Sequence, residues 1–226
     1  MKSLQLTLLG ALPILVTGLV MAAPASAATP EFLQEGHVLE EGSKIELVGE
    51  EGGEALIKTE KLTIQCAESS VSGEISGPKT ITGMVYKLTR CKSGELSCES
   101  AGAEEGEILS NSIVGDTEYL RTEKEVPVGL LMEPASGPSF AEFKCSSTAV
   151  DVRGSLICEL GPTNVKTTTL ELSCTETGGQ QTWTRLEGSE TLHRLEVSEE
   201  AAQIKIKVKI KIKEKGKVEA EIDIDF

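Results

Sequence analysis

The alternation at the C-terminal end of the chain constrains the fold more than any other feature. From Ile204 to Lys213, apolar residues alternate with lysines without a break, and from Val218 to Phe226 they alternate with Glu and Asp. Because a β-strand turns successive side chains to opposite faces, each segment predicts a strand with one apolar and one charged face. A helix would scatter these residues around its circumference, so the pattern indicates a β protein.

We predict that these two segments, residues 203–226, form one long amphipathic β-hairpin. Glu214-Lys215-Gly216 resembles a three-residue loop in which Gly216 adopts the left-handed conformation at no steric cost. The loop sets the register Lys213–Lys217, Lys211–Glu219, Lys209–Glu221, Lys207–Asp223 and Lys205–Asp225, with Ile212–Val218, Ile210–Ala220, Val208–Ile222, Ile206–Ile224 and Ile204–Phe226 on the other face. The apolar face needs cover. We expect it to pack on the protein's own sheet, and the alternative is self-association through this hairpin.

The first 27 residues have the features of a secretory signal peptide. Lys2 supplies the positive charge, residues 4–23 form an apolar stretch, and Ala25-Ser26-Ala27 is a cleavage site with small residues. Pro13 within the stretch argues against a permanent membrane anchor. The remainder of the sequence has no apolar run of membrane-spanning length, so we expect a secreted or cell-surface protein without a membrane span after cleavage.

The charge of the chain limits the classes of partner that it is expected to bind. The formal net charge is −14, and loss of Lys2 with the signal peptide would make it −15. Nucleic acids and anionic lipids bind surfaces with excess lysine and arginine, which displace their counterions. The sequence therefore argues against nucleic-acid binding, and it leaves the partner unknown.

All six cysteines lie in the predicted mature chain: Cys66, Cys91, Cys98, Cys145, Cys158 and Cys174. An even number in an exported chain predicts disulfides. Among the connectivities that the spacing allows, we choose Cys91–Cys98 across a short turn-like segment and Cys158–Cys174 between adjacent strands. Cys66 then pairs with Cys145. The spacing and the scarcity of histidine argue against a zinc site.

The body of the chain, residues 28–202, predicts a disulfide-stapled, all-β, antiparallel sandwich or barrel-like domain. Short strand-like runs recur between Gly-, Pro- and Ser-rich turns, and none shows a sustained helical period. The expected strands are Ala55–Lys58, Lys61–Cys66, Thr80–Cys91, Glu107–Ile113, Val126–Met132, Phe140–Cys145, Ala149–Arg153, Ser155–Leu160, Thr167–Cys174 and Gln181–Leu186. Ser198–Gln203 could form one helical turn.

Several segments resemble a group of exported, uncharacterised β-rich bacterial proteins. The resemblance covers most of residues 31–203 and rests on Cys91 with Cys98, Ile108-Leu109 before Gly115, Val128-Gly129-Leu130, Pro134-Ala135-Ser136-Gly137, Phe140–Cys145, Gly154-Ser155-Leu156-Ile157 and Glu199-Glu200-Ala201. It implies no activity. Cys158, Cys174 and the hairpin depart from the group's pattern as additions, which fits pairing of these two cysteines.

Candidate chemistry in the sequence is sparse. His37 and His193 are the two histidines, both expected to be exposed, and no G-x-S-x-G nucleophile motif or phosphate-binding glycine loop occurs. The 36 acidic residues select no catalytic pair. Calcium binding by Asp116-Thr117-Glu118 or by the loop Glu104-Glu105-Gly106-Glu107 is chemically possible, but we expect solvated loops there.

The sequence therefore predicts an exported structural or interaction protein without enzymatic activity and without a cofactor. A small-ligand-binding β module is the alternative, with Trp183 as its speculative ligand residue. A secreted hydrolase acting through clustered carboxylates is the weakest of the three hypotheses.

Overall fold

The computed structural model describes residues 29–50, 52–120, 127–214 and 221–225. The predicted signal peptide, residues 215–220 of the predicted hairpin and Phe226 lie outside them. The strands are β1 (Glu31–Gln34), β2 (His37–Val38), β3 (Ile45–Gly49), β4 (Ala55–Lys58), β5 (Thr63–Cys66), β6 (Glu68–Ile75), β7 (Thr80–Thr89), β8 (Lys92–Ser93), β9 (Leu96–Glu99), β10 (Ile108–Leu109), β11 (Ile113–Tyr119), β12 (Val128–Pro134), β13 (Ser139–Cys145), β14 (Thr148–Gly154), β15 (Leu156–Gly161), β16 (Thr169–Cys174), β17 (Glu176–Thr177), β18 (Gln180–Gln181), β19 (Leu195–Val197), β20 (Glu200–Glu214) and β21 (Asp223–Asp225).

The all-β prediction is confirmed, and the body is a closed antiparallel barrel of eight strands. Its strand order is β16-β15-β12-β11-β7-β6-β3-β20, and β20 pairs back with β16 to close it. Alternate residues fill the interior. Among the fully buried side chains are Leu47, Ile75, Ile81, Met84, Ile113, Leu130 and Met132. Within the described ranges no helix has the length and apolarity needed to cross a membrane.

A second ring of pairings lies beside the barrel and shares β20 with it. The order is β20-β19-β14-β13-β9-β8-β5-β4, and β4 pairs with β20 to complete the ring. Residues 200–205 of β20 pair with β19 and β4, whereas residues 206–214 pair with β16 and β3. One long strand therefore belongs to both rings, and the boundary predicted at residue 203 falls inside it.

The predicted pairing of the two C-terminal arms is wrong in the described part of the chain. β20 pairs with β16, so that Ile206, Val208 and Ile210 lie opposite Cys174, Leu172 and Leu170. The second arm goes elsewhere: Ile222 bridges to Thr167, and β21 pairs with β1. The alternation defines which face of a strand is apolar. Any neighbouring strand satisfies it if its apolar residues alternate in the same phase, so that they lie opposite those of the first strand. β16 has that phase, and the predicted partner segment was therefore not the unique solution.

The alternating burial of β20 follows the prediction although its partners do not. Every apolar residue from Ile204 to Ile212 is buried, so this face is covered within the chain. Three of the outward lysines face carboxylates of neighbouring segments. Lys207 pairs with Glu171 at 2.7 Å, Lys211 pairs with Glu50 at 2.8 Å, and Lys213 lies opposite Glu46. The hydrogen bond from Lys211 lowers the pKa of Glu50.

All six cysteines form disulfides, but two of the three predicted pairings are wrong. The bonds are Cys66–Cys91, Cys98–Cys145 and Cys158–Cys174. Cys98 lies directly opposite Cys145 in the β9–β13 register, and Cys66 follows Gln65, which lies opposite Lys92. The short segment between Cys91 and Cys98 is thus bonded outward to both neighbouring strands instead of closing on itself. Three such bonds indicate an oxidising, extracytoplasmic environment.

Two local predictions also differ from the structure. The segment 198–203 contains no helical turn, because Ser198 and Glu199 form a turn with positive φ and β20 begins at Glu200. The strand predicted over 181–186 is limited to Gln180–Gln181, in a small hairpin with β17. Beyond it, residues 182–194 form an irregular connection.

Candidate functional site

The space between the two rings is too small to hold a ligand. An apolar cavity of about 40 Å³ lies there, lined by side chains of both rings that include Tyr86, Phe140 and Ile204. An apolar cavity that accepts benzene is roughly 150 Å³. The Tyr86 hydroxyl donates to Met132 Sδ at 3.3 Å, and burial raises its pKa. This region is therefore packed core.

The most distinctive surface element is the β8–β9 hairpin, which two disulfides clamp at its base. Cys91 immediately precedes β8 and Cys98 lies in β9, and each is bonded to a neighbouring strand. The Cys98 amide donates to the Cys91 carbonyl at 3.0 Å, and the Ser146 amide donates to the Ser97 carbonyl at 3.0 Å. The segment Lys92–Ser97, which we call the clamped hairpin, is consequently held from both sides.

An apolar side chain stands exposed near the tip of the clamped hairpin. Leu96 is 51% exposed, and it lies opposite Ser93 across the turn that contains Gly94. Gly94 has a φ of +60°, the left-handed conformation that a tight turn needs. The sequence pointed to a turn here, and its two bracketing cysteines were the signal that it matters, although the pairing inferred from them was wrong.

Two recesses share the clamped hairpin as a wall. The first, of about 590 Å³, is lined by Glu95, Leu96 and Glu99 of the hairpin side together with Glu105 and Lys144. We call it the acidic groove, because three carboxylates face one ammonium group that pairs with Glu99 at 3.4 Å. The second recess, of about 400 Å³, begins at Lys92 and Gly94 and extends over β5, β4 and β20.

The structure places His193 in a buried position, which contradicts the expected exposure, whereas His37 is exposed as predicted. His193 Nδ1 lies 3.0 Å from Ser155 Oγ. A serine nucleophile needs a base oriented by an acid and free amides that stabilise an oxyanion. In the described part of the chain no carboxylate lies within hydrogen-bonding distance of His193, and the Ser155 and Gly154 amides donate to the Arg194 and Pro138 carbonyls. The pair ties the 182–194 connection to the barrel.

Trp183, the speculative ligand residue, lies partly buried in that same connection. None of the cavities described here has Trp183 in its wall. The structure therefore does not bring Trp183 together with the clamped hairpin or its two recesses.

The two segments considered for calcium were expected to be solvated loops, and this was wrong for Asp116-Thr117-Glu118, which lies within β11. Thr117 is fully buried in β11, and Asp116 beside it accepts a hydrogen bond from Thr80 Oγ1 at 2.7 Å. Glu107, in the other candidate segment, is buried and pairs with Lys87 at 2.6 Å. Among the residues that the structure describes, no group of three or more His, Cys, Asp or Glu side chains is arranged to hold a metal ion.

Comparison with known proteins adds no relationship. No protein-family model matches the chain, and no curated protein or solved structure matches it significantly. The resemblance to a group of exported β-rich proteins therefore stays a prediction.

Proposed function

We propose that this is an exported, non-enzymatic interaction protein that presents the clamped hairpin to a macromolecular partner at the cell surface or outside the cell. The observation that carries the proposal is the double clamp, because Cys91 and Cys98 are bonded to strands on opposite sides of the hairpin. The signal peptide predicted at residues 1–27 and the oxidising environment that the disulfides require fit an exported protein.

A clamped recognition element lowers the entropic cost of binding. Ordering a loop on association costs free energy, and a loop that is already held in its bound conformation avoids that cost. The two disulfides and the Ser146–Ser97 hydrogen bond hold the clamped hairpin in this way. Leu96 at its tip offers an apolar anchor, and burying a leucine side chain in a partner's pocket contributes roughly 1.5–3 kcal/mol.

The filled interior favours surface recognition over a ligand site inside the barrel. An eight-stranded antiparallel barrel that binds a small ligand inside needs an interior that side chains leave open. Here Ile81, Leu130 and Met132 are among the side chains that occupy that space, each with at most 1% exposure. The two recesses beside the clamped hairpin, of about 590 and 400 Å³, are larger than the cavity of about 40 Å³ between the rings.

Substitution of Leu96 by Asp tests the proposal. Labelled mature protein is titrated onto washed envelopes of the cells that export it, and saturable binding is measured. We expect Leu96→Asp to weaken binding about tenfold or more, because an anchor worth roughly 1.5–3 kcal/mol is lost. Thermal unfolding should be unchanged, because the side chain is half exposed.

The matched control is Leu192→Asp. Leu192 is 49% exposed, nearly the same as Leu96, but it lies in the 182–194 connection. The control should bind as the unsubstituted protein does. Equal binding by all three proteins, or the absence of saturable binding, would contradict the proposed role of the clamped hairpin, and turnover in a broad hydrolase panel would contradict the non-enzymatic assignment.

A further inference from the structure

We propose that the second recess binds an anionic ligand that carries an acidic group at each end. We call it the basic recess, and its lining includes Glu54, Leu56, Gln65, Arg90, Lys92 and Lys205. The inference goes beyond the proposed function, because the recess lies mainly on the outer face of the strands behind the clamped hairpin. It would stand whether or not Leu96 contacts a partner.

The strand register aligns four of these residues in one row. Lys205 lies opposite Leu56, Leu56 lies opposite Gln65, and Gln65 lies opposite Lys92. Because neighbouring strands are spaced by about 4.8 Å, the backbone positions of the two lysines are about 14 Å apart along the sheet. Two ammonium groups thus stand at opposite ends of the row, with an aliphatic side chain and an amide between them.

These two lysines differ from their neighbours on β20 in their ion pairing. On the same outer face of β20, Lys207 and Lys211 form ion pairs with Glu171 and Glu50. Within the described ranges, no carboxylate lies within 4.0 Å of the ammonium groups of Lys92 and Lys205. In a chain with a net charge of −14, two lysines that face one recess and form no ion pair with a described residue favour an anionic ligand.

The remaining charges of the basic recess leave this preference in place. Arg90 pairs with Glu68 at 2.5 Å, and that pairing lowers the pKa of Glu68. Glu54 adds one further carboxylate to the wall. Because the Arg90–Glu68 pair is neutral, Lys92 and Lys205 face the carboxylate of Glu54, and one net positive charge remains in the recess.

The volume and the wall indicate what the ligand should look like. About 400 Å³ is within the range of small-molecule sites. Leu56 is half-buried and provides an apolar floor, whereas Gln65 is exposed and offers both a donor and an acceptor. An aliphatic dicarboxylate and a short oligosaccharide with uronic acids both have this chemistry, with acidic groups separated by a less polar body.

Titration calorimetry on the full-length oxidised protein tests the inference. The probes are adipate for the dicarboxylate class and trigalacturonate for the acidic oligosaccharide class, each at millimolar concentrations. We expect saturable binding of one of them at low salt. Lys92→Gln and Lys205→Gln should each weaken it about two- to fivefold, the size of one exposed ion pair, and the double variant should remove it.

The control is Lys209→Gln, an exposed lysine on the same face of β20 that does not line the basic recess. It changes the net charge equally and should leave the affinity unchanged. Preference for adipate or for trigalacturonate identifies the class of ligand. Equal weakening by Lys209→Gln would show a general charge effect and overturn the inference, as would the absence of saturable binding of both probes.

Discussion

Gly154 shows how a single residue fixes the position of a whole connection. Its φ is +102°, and a Cβ at this position would lie 2.2 Å from the Arg194 carbonyl oxygen. The neighbouring Ser155 amide donates to the same carbonyl, and its hydroxyl contacts His193. The close approach of two backbones is therefore the reason that a side chain cannot be accommodated here.

We predict that Gly154→Ala destabilises the protein by about 3 kcal/mol, since it combines a disfavoured backbone conformation with a backbone clash. Gly42→Ala is the control. Gly42 has a similar positive φ of +83° but open space around it, so about 1 kcal/mol is expected. Urea unfolding at neutral pH measures both values. Equal losses would show that the clash with Arg194 does not exist.

At the scale of single residues, the sequence was a better guide to the chemistry of a side chain than to its burial and its neighbours. The exposure of His37 was predicted correctly, whereas His193 is buried because β14, β15 and the 182–194 connection meet there. That meeting is a tertiary arrangement without a local signal. The clamped hairpin was recognised as a turn, but the partners of its cysteines depend on which strands lie on either side of it.

Among the elements, β20 gives the most direct test of strand pairing. A double-mutant cycle on Lys207 and Glu171 should give a coupling energy of about 0.2–1 kcal/mol, because the two groups form an exposed ion pair. The same cycle on Lys207 and Asp223, the pair expected of a C-terminal hairpin, should give a coupling near zero. Urea unfolding of the single and double alanine variants provides both numbers, and the opposite ranking would restore the hairpin register.

Removal of the Cys98–Cys145 disulfide should loosen the clamped hairpin more than the rest of the molecule. The bond closes a separation of 47 residues, so its loss in Cys98→Ala/Cys145→Ala should cost about 4 kcal/mol in the chain-entropy model. A lysine-specific protease should then cut after Lys92 faster than in the native protein.

Cys158→Ala/Cys174→Ala is the matched control for that experiment. Its bond closes a separation of 16 residues and should cost about 3 kcal/mol, but it lies in the barrel, away from the hairpin. Cleavage after Lys92 should remain slow, measured well below the unfolding temperature of each variant. Equally fast cleavage in both variants would mean that global unfolding, and not the local clamp, governs access.

Strand prediction gave accurate bounds for some strands and missed others. β4 was predicted to the residue, and β13 and β14 within one residue at each end. β6 was missed because its sequence, ESSVSGEI, has few apolar residues, and it forms because β3 and β7 pair on either side. Pairing with neighbours supplied what local propensity lacked.

For the whole molecule, the shared strand implies one cooperative unit. β20 supplies a wall to the barrel and to the second ring, so neither ring can lose it independently. Calorimetry should therefore show a single unfolding transition. Val208→Ala, on the barrel half of β20, and Val152→Ala, in β14 of the second ring, should each shift that whole transition downward. Two transitions, each sensitive to one variant alone, would contradict a shared core.

The fold class was predictable from the sequence, but the closure of the sheet into a barrel was not. Alternation, turn composition and cysteine number were sufficient to indicate an antiparallel, disulfide-bonded β domain. Closure depends on long-range pairing such as β3 with β20, where Glu46 lies opposite Lys213. Such contacts between distant segments are not encoded by any local period, and the same absence of local information accounts for the wrong cysteine partners.

A disulfide map of the non-reduced protein decides whether the clamped hairpin is held from both sides. Digestion after Arg90 and Lys92 isolates Cys91 on a short peptide, which mass spectrometry then finds joined to its partner. A double clamp predicts that this peptide is joined to the one containing Cys66, and that Cys98 is joined to Cys145. A Cys91–Cys98 bond would contradict the clamp, and with it the proposed presentation of Leu96.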